Sequence, residues 1–305
     1  MTRKELLEMQ SLPLNIKIRM TQTRIRDWYQ TYGGNVYVSF SGGKDSTVLL
    51  HLVRELYPDV KAVYCDTGLE YPEIKEFAKS FDNVEIIKPN KTFLQVIKEY
   101  GYPVVSKEIA LTIEYARKGS KWAIDRLNGK HDYGNHSKYK YLLNAPFKIS
   151  DKCCLELKKK PFKKYEKETG LKPFIGTMAS EGGQRLSAYL KVGCNAFESK
   201  RPISQPIGFW TEKDIQDYIK QYNIKICDVY NMGYKRTGCM YCMFGCTTKD
   251  HKQKFEMMKE THPKIYDYCM NKLELMKVLE YVNAGIKYGE ELKAIYQYCI
   301  DNKWI

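Results

Sequence analysis

The sequence has no run of about 18 apolar residues, the length a helix needs to cross a bilayer, so no membrane partner is expected. Its first ten residues, MTRKELLEMQ, are charged and lack the apolar stretch of a secretory signal. Both absences lead to the expectation of a cytoplasmic protein. Acidic residues are in deficit: 36 Asp and Glu face 50 Lys and Arg, a net charge of +14. That imbalance suits anionic partners, whether nucleotides, sulfated compounds or nucleic acid, although solubility alone would also account for it. Disorder is excluded by 43% apolar and 13% aromatic residues. A length of 305 residues allows one large or two modest domains. In a reducing compartment, ten cysteines point to metal or redox chemistry more than to a disulfide framework.

The rest of the chain is organised around residues 36–50, VYVSFSGGKDSTVLL. β-Formers at 36–40 run into Ser41-Gly42-Gly43-Lys44-Asp45-Ser46. Apolar residues at helical spacing follow: Val48, Leu49, Leu52, Val53 and Leu56. This reads as strand, glycine turn and helix. The glycines let the backbone turn sharply and approach a ligand, and the free N–H groups of a helix N-terminus attract an anion. Ser39, Ser41, Ser46 and Thr47 add hydroxyls, and Lys44 adds a mobile charge. A carboxylate at Asp45 beside a phosphate needs a cation between them, and Mg²⁺ is the simplest one. The spacing is not that of the Walker loop, and the bland alternative is an ordinary N-cap turn.

The string SGGKDS resembles the PP-loop of the adenine nucleotide alpha-hydrolase (ATP pyrophosphatase) superfamily. That resemblance implies an adenine nucleotide held by its phosphates and, where it is cleaved, cut between the α- and β-phosphates.

Residues 4–31 read as a helical segment, with Leu14, Ile18, Ile25 and Trp28 close to one face, Pro13 opening the main helix and Gly33-Gly34 ending it. A second strand is expected at 60–65, ending in Asp66-Thr67-Gly68, followed by a helix at 71–81, a strand at 84–88 and a helix at 92–100. This alternation predicts a doubly wound parallel sheet, an α/β fold, in which 36–40 and 60–65 are adjacent parallel strands. A carboxylate at the end of a parallel strand faces the ligand crevice, so Asp66 is a candidate for metal, ribose or adenine, or else caps a turn. YCDTGLEYPE resembles the DTG-(aromatic)-P-E segment of the phosphoadenylyl-sulfate (PAPS) reductase branch, which implies nucleotide contacts at Thr67 and Gly68.

Residues 106–148 break the rhythm. Lys or Arg stands at 117, 118, 121, 126, 130, 138, 140 and 148 against Asp125 and Asp132, interleaved with Trp122, Tyr133, Tyr139 and Tyr141. Cations among aromatics suit nucleic acid, by phosphate contact and base stacking. The alternative is a solvated insertion whose aromatics pack on the domain.

Cys153-Cys154 and the later Cys239, Cys242 and Cys246 of GCMYCMFGC are candidate metal ligands. Four of the five suit a [4Fe–4S] cluster, zinc accepts the same thiolates, and reduced core cysteines are the third reading. Lys158 to Lys160, Lys235 and Arg236 are placed to stabilise thiolates. Proximity alone allows a set of Cys154, Cys239, Cys242 and Cys246. The pattern CC…CxxC resembles the iron–sulfur adenylyl-sulfate reductases, which selects Cys153, Cys154, Cys239 and Cys242 instead. Lys158 and Pro161 match that family after the Cys pair, whereas Leu157 replaces its Arg. RPISQPIGFWTEKDIQDYI is similar to the family's P-(hydrophobic)-x-x-W-T-x-x-D segment. Gly176 to Glu181 with Arg185 is similar to its substrate-facing segment, which implies nucleotide contacts at Gly176, Arg185 and Lys158. The first Arg of that segment is Met178 here.

Two departures separate the chain from the reductases. No Cys-Gly pair follows Cys246, and the sequence ends YCIDNKWI; Cys269 and Cys299 sit in helical patterns (with Ile295 and Tyr298) that suit core positions. Lys44 and Asp45 are intact, whereas reductases do not split ATP and carry a degraded loop. In both respects the chain is similar to DNA-phosphorothioation and thiolating PP-loop enzymes. The expected architecture is a helical segment at 1–34, a PP-loop domain at 35–230 carrying the basic insertion at 106–148, and a cysteine loop with C-terminal helices at 231–305. The expected activity uses Lys44, Asp45 and Asp66 as catalytic groups. An acceptor is adenylylated with Mg·ATP, and sulfur then comes from a donor protein or thiol. The rivals are a thiol-dependent reductase of adenylyl sulfate or PAPS, and a non-catalytic nucleotide- or nucleic-acid-binding subunit, in either case open to homo-oligomers.

Overall fold

The computed structural model describes residues 1–131 and 134–289. Asp132, Tyr133, Ile295, Tyr298 and Cys299 lie outside the described residues. The chain divides into two compact units of interleaved segments. The first takes Met1–Asp66, Glu70–Pro89 and Lys160–Thr237, and the second takes Thr67–Leu69, Asn90–Lys159 and the chain from Gly238 onward.

The first unit is built on a six-stranded sheet. Its strands are β1 (Val36–Phe40), β2 (Ala62–Cys65), β3 (Val84–Ile87), β5 (Lys172–Ile175), β6 (Asn195–Ala196) and β7 (Ile203–Ser204), while β4 (Val104–Val105) belongs to the second unit. The order across the sheet is β3-β2-β1-β5-β7-β6. All neighbours run parallel except the edge pair β6 and β7. The adjacent parallel placement of the first two strands is therefore as expected, with Val38 opposite Ala62 and Phe40 opposite Tyr64. The apolar runs VYVSF and AVYC suit central strands covered by helices: Tyr37, Val38, Phe40 and the whole of β2 are buried. β2 starts at Ala62 and not at 60, because Val60 still closes the preceding turn, its N–H bonding Tyr57 O at 3.1 Å.

Helix Lys44–Leu56 presses Val48, Leu49, Leu52 and Val53 into this core. The N-terminal segment is two helices, Arg3–Ser11 and Leu14–Thr31. The break falls at Leu12, extended at ψ 151 as residues before proline are, and Pro13 caps the second helix. That helix is tied to Glu212–Gln221 by a buried ion pair. Lys17 Nζ donates to both Asp214 carboxylate oxygens at 2.9 and 2.8 Å and to Gln10 O at 2.6 Å. Trp210 Nε1 donates to Thr21 Oγ1 at 2.9 Å. The Trp-Thr-x-x-Asp motif is thus largely an anchor: Thr211 and Asp214 form a capping box, and Trp210 is fully buried.

In the second unit β4 pairs in parallel with β8 (Met243–Phe244), so the cysteine loop is stitched to the segment that precedes helix Lys107–Arg117. Helices Lys249–Thr261 and Leu275–Tyr288 follow. The insertion's cations mostly face its own backbone and carboxylates. Arg117 donates to the carbonyls of Leu142, Ala145 and Phe147, Lys118 pairs with Glu114, Arg126 with Glu108 and Lys130 with Asp125, and Lys148 reaches Glu99 O. Tyr141 is buried and donates to Val282 O at 2.9 Å. Trp122 is 47% exposed, but the Arg126 guanidinium lies 5.0 Å from its ring centre. This arrangement suits the packed-insertion alternative. No described helix is long and apolar enough to cross a membrane.

Candidate functional site

At the end of β1 the backbone turns through Gly42, held at φ +71, where L-residues are strained. A Cβ on Gly42 would meet Ile74 Cγ2 at 2.8 Å, and one on Gly43 would meet Thr237 Oγ1 at 2.5 Å. Gly43 is the N-cap of helix Lys44–Leu56. The hydroxyls knit the turn together: Ser46 Oγ donates to Gly43 O at 2.8 Å, Thr47 Oγ1 to the same oxygen at 3.0 Å, and the Ser41 amide to Ser46 Oγ at 3.2 Å. Gly176, at the end of β5, runs against this turn, since a Cβ there would stand 3.2 Å from the Ser46 backbone. Ser39 lies in β1 opposite Val63 and Ile175.

Groups that the sequence did not single out surround Lys44. Its Nζ is 2.5 Å from Glu212 Oε1, and its amide donates to the Tyr230 hydroxyl at 2.9 Å. Burial pushes the Glu212 carboxyl up, but hydrogen bonds from Lys44 and Gln216 outweigh this and hold it below its usual range. Asp45 is different. Its Oδ1 is buried and has no hydrogen-bond partner. Burial raises its carboxyl above the ordinary value, Lys44 opposes this, Glu212 reinforces it, and Arg185 and Arg236 pull it back down. A buried carboxylate oxygen with no donor, beside a helix N-terminus, fits a cation ligand. Arg236, expected beside the thiolates, instead contributes to the charge around Asp45 and Glu212 and lies 4.0 Å from Glu181, which also pairs with Arg185. Nothing in the local sequence marks Tyr230 or Glu212 for these positions, because both are brought in by the fold.

Asp66 sits buried at the end of β2, as expected of a strand-end carboxylate, and Lys75 Nζ lies 2.7 Å from its Oδ2. Thr67 and Gly68 belong to the second unit, where Thr67 Oγ1 accepts from the Leu69 amide at 3.2 Å; Lys158 is also in that unit. Met178, in the position of the family's first Arg, is buried.

All five candidate cysteines fall in the second unit, and none of the described cysteines is joined in a disulfide. Cys153-Cys154 opens a helical segment whose next turn, Leu155–Lys159, is widened to the π form, often found at functional sites. The thiols of Cys154, Cys239 and Cys242 all act on Cys153, whose own thiol is raised mainly by burial and lowered by Lys158. Cys242 is pushed up to about 11, first by burial and then by Cys239, with Cys154 a smaller contributor. At Cys246 burial raises the thiol, and the Val105 backbone and Lys252 pull it down. Val105 is held at φ +63, an uncommon state for a β-branched residue. Four thiols are the donor type that a [4Fe–4S] cluster takes, and Lys158 near Cys153 and Lys254 near Cys242 are countercharges. No three His, Cys, Asp or Glu side chains among the described residues converge as a ready metal-ion site.

A parallel sheet whose central strand passes into a glycine turn and a helix N-terminus, with an intact SGGKDS, defines an α/β protein of the PP-loop type. The phosphoadenosine phosphosulfate reductase domain profile matches residues 35–244, and the chain belongs to that family. Its relatives include an uncharacterized protein of Methanocaldococcus jannaschii, 23% identical over 259 residues, covering 82% of this chain and 51% of that protein. An adenosine 5'-phosphosulfate reductase of Staphylococcus haemolyticus is 25% identical over 220 residues, covering 72% of this chain and 74% of the reductase. The chain spans about half the length or less of the archaeal relatives it matches. Among solved structures, the U34-tRNA thiolase NcsA from Methanococcus maripaludis with its [4Fe-4S] cluster aligns at TM-score 0.39 and 15% identity, covering 87% of this chain and 80% of the thiolase.

Proposed function

We propose that the chain is an enzyme that binds Mg·ATP at residues 41–47, adenylylates an acceptor oxygen with release of pyrophosphate, and completes a sulfur transfer with the help of Cys153, Cys154, Cys239 and Cys242. The observation that carries this reading is the intact pair at the helix N-terminus: Lys44 buried and paired with Glu212, and Asp45 with a buried oxygen that has no hydrogen-bond partner. Lys44 would exchange Glu212 for phosphate oxygens, and Asp45, with Asp66 in support, would hold a Mg²⁺ that neutralises phosphate charge. The acceptor oxygen attacks the α-phosphorus, the bond to the bridging oxygen breaks, and pyrophosphate leaves with its charge stabilised by Lys44, the metal and the helix N-terminus. Hydrosulfide then attacks the activated acceptor carbon, whose carbon–oxygen bond breaks so that AMP leaves carrying the acceptor's oxygen. A donor persulfide does the same through its outer sulfur, and a thiol then reduces the resulting disulfide to release the thiolated acceptor. A [4Fe–4S] cluster would supply iron sites for sulfide. The protein's part is to hold four thiolates and lay Lys158 beside them.

The second reading, thiol-dependent reduction of adenylyl sulfate or PAPS to sulfite, is favoured by the reductase among the relatives. Anaerobically purified protein incubated separately with ATP, adenylyl sulfate and PAPS, each with thiol, separates the two. We expect pyrophosphate from ATP and no sulfite. Sulfite alone would install the reductase, and neither product would leave a nucleotide-binding subunit. The same preparation tests the cysteine set. Cys246→Ser is expected to keep iron and acid-labile sulfide at the wild-type level, while Cys154→Ser or Cys239→Ser loses most of both. Loss of iron in Cys246→Ser would replace Cys153 with Cys246 in the set, and stoichiometric zinc without sulfide would make the site structural.

A further inference from the structure

The C-x-x-C turn has a side-chain staple that arrives from outside the motif. Lys254, on helix Lys249–Thr261, donates from Nζ to Cys239 O at 2.9 Å and to Cys242 O at 3.2 Å. Cys239 O also accepts the Cys242 amide at 3.2 Å, so this carbonyl closes the turn and receives the ammonium as well. Backbone bonds also pin the loop, one inside the stapled turn and one after it: Met240 N–H on Leu69 O and Gly245 N–H on Val105 O, both at 2.7 Å. Burial lowers the pKa of Lys254, and the neighbouring thiols of Cys242, Cys239 and Cys269 oppose this and favour its charged form. Two carbonyls fixed by one ammonium set the separation of the two sulfurs. A cation held that close favours the more negative state of whatever those sulfurs bind.

We propose that Lys254 is the positioning residue of this loop: it fixes the Cys239–Cys242 turn, and it raises the reduction potential of a cluster held there. The first half stands on the hydrogen bonds alone. The second rests on the cluster reading given above.

The test uses the full chain as wild type, Lys254→Gln and Lys254→Arg. In chelator-stripped protein, amide exchange at Cys242 is expected to be at least about tenfold faster in Lys254→Gln, with Met240 and Gly245 unchanged and Lys254→Arg in between. In anaerobically prepared protein, the midpoint potential from a redox titration followed by electron paramagnetic resonance is expected to shift downward in Lys254→Gln. It should stay near wild type in Lys254→Arg, which keeps the charge. Unchanged Cys242 exchange in Lys254→Gln overturns the positioning role. Faster exchange with an unshifted potential overturns the electrostatic half. A wild type without iron and sulfide defeats the cluster reading and with it that half, while the exchange measurement still decides the positioning role.

Discussion

Asp45→Asn is expected to lower the rate of ATP cleavage about a hundredfold or more while leaving nucleotide binding within a few-fold. The amide keeps the size and the buried contacts of the side chain but cannot give Mg²⁺ an anionic ligand. Lys44, which carries the phosphate charge, is untouched. Burial raises the Asp45 carboxyl in the folded state. A group raised in this way supports folding fully at low pH, and that support is lost as pH rises through its folded value. At neutral pH without Mg²⁺ the ionised Asp45 therefore opposes folding, and Asp45→Asn should melt at or above the wild-type temperature. Pyrophosphate release under single-turnover conditions and a thermal melt in chelator decide the matter together. Unchanged cleavage would remove Asp45 from metal placement, and a lower melting temperature would mean that the carboxylate serves the fold. Lys44→Ala is the complement and is expected to weaken nucleotide binding itself.

Lys17→Met is expected to destabilise the first unit by about 3–5 kcal/mol, because it strands a buried carboxylate. Lys17 and Asp214 are 2% and 7% exposed, so water cannot replace the lost ammonium. The double variant Lys17→Met/Asp214→Asn should recover a large part of the loss. The amide carries no charge and can still accept from the Thr211 amide and hydroxyl, which meet Asp214 Oδ2 at 2.7 and 2.8 Å. Urea unfolding followed by tryptophan fluorescence reports on this region, since Trp28 and Trp210 are both in its core. A single-variant loss below about 1 kcal/mol would show that the pair is not the anchor its geometry implies.

The sheet was legible because β1, β2 and their helices are written in local patterns: apolar runs of strand length, glycine punctuation and 3.6-residue spacing. The phosphate turn was legible for the same reason, its residues being contiguous. What could not be read was the company these residues keep. Glu212 lies 168 positions from Lys44 and Tyr230 lies 186 positions from it, and neither stands in a motif whose chemistry names the loop. Arg236 shows the reverse error. Close to Cys239 in sequence, it reads as a partner of the thiolates, yet its charge acts on Asp45. Lys254 escaped notice because a lone lysine on an amphipathic helix has no signature, and its role is visible only through the carbonyls it holds. The eight cations of the insertion suggested a surface for nucleic acid, but composition does not reveal which charges are already answered by neighbouring carboxylates and carbonyls.

The central strand pair has a bearing on biosynthesis. β1 is bordered by β2 on one side and by β5 on the other, with Val36 opposite Lys172. A ribosome-bound chain therefore exposes one edge of this central strand until everything through β5 has emerged, including the whole insertion. An open edge of this kind is a template for wrong strand pairing, and closing a contact so distant in sequence is slow. Fragments that stop within the insertion should accordingly aggregate or recruit chaperones, whereas a chain released beyond Ile175 has its own strand to fill the gap.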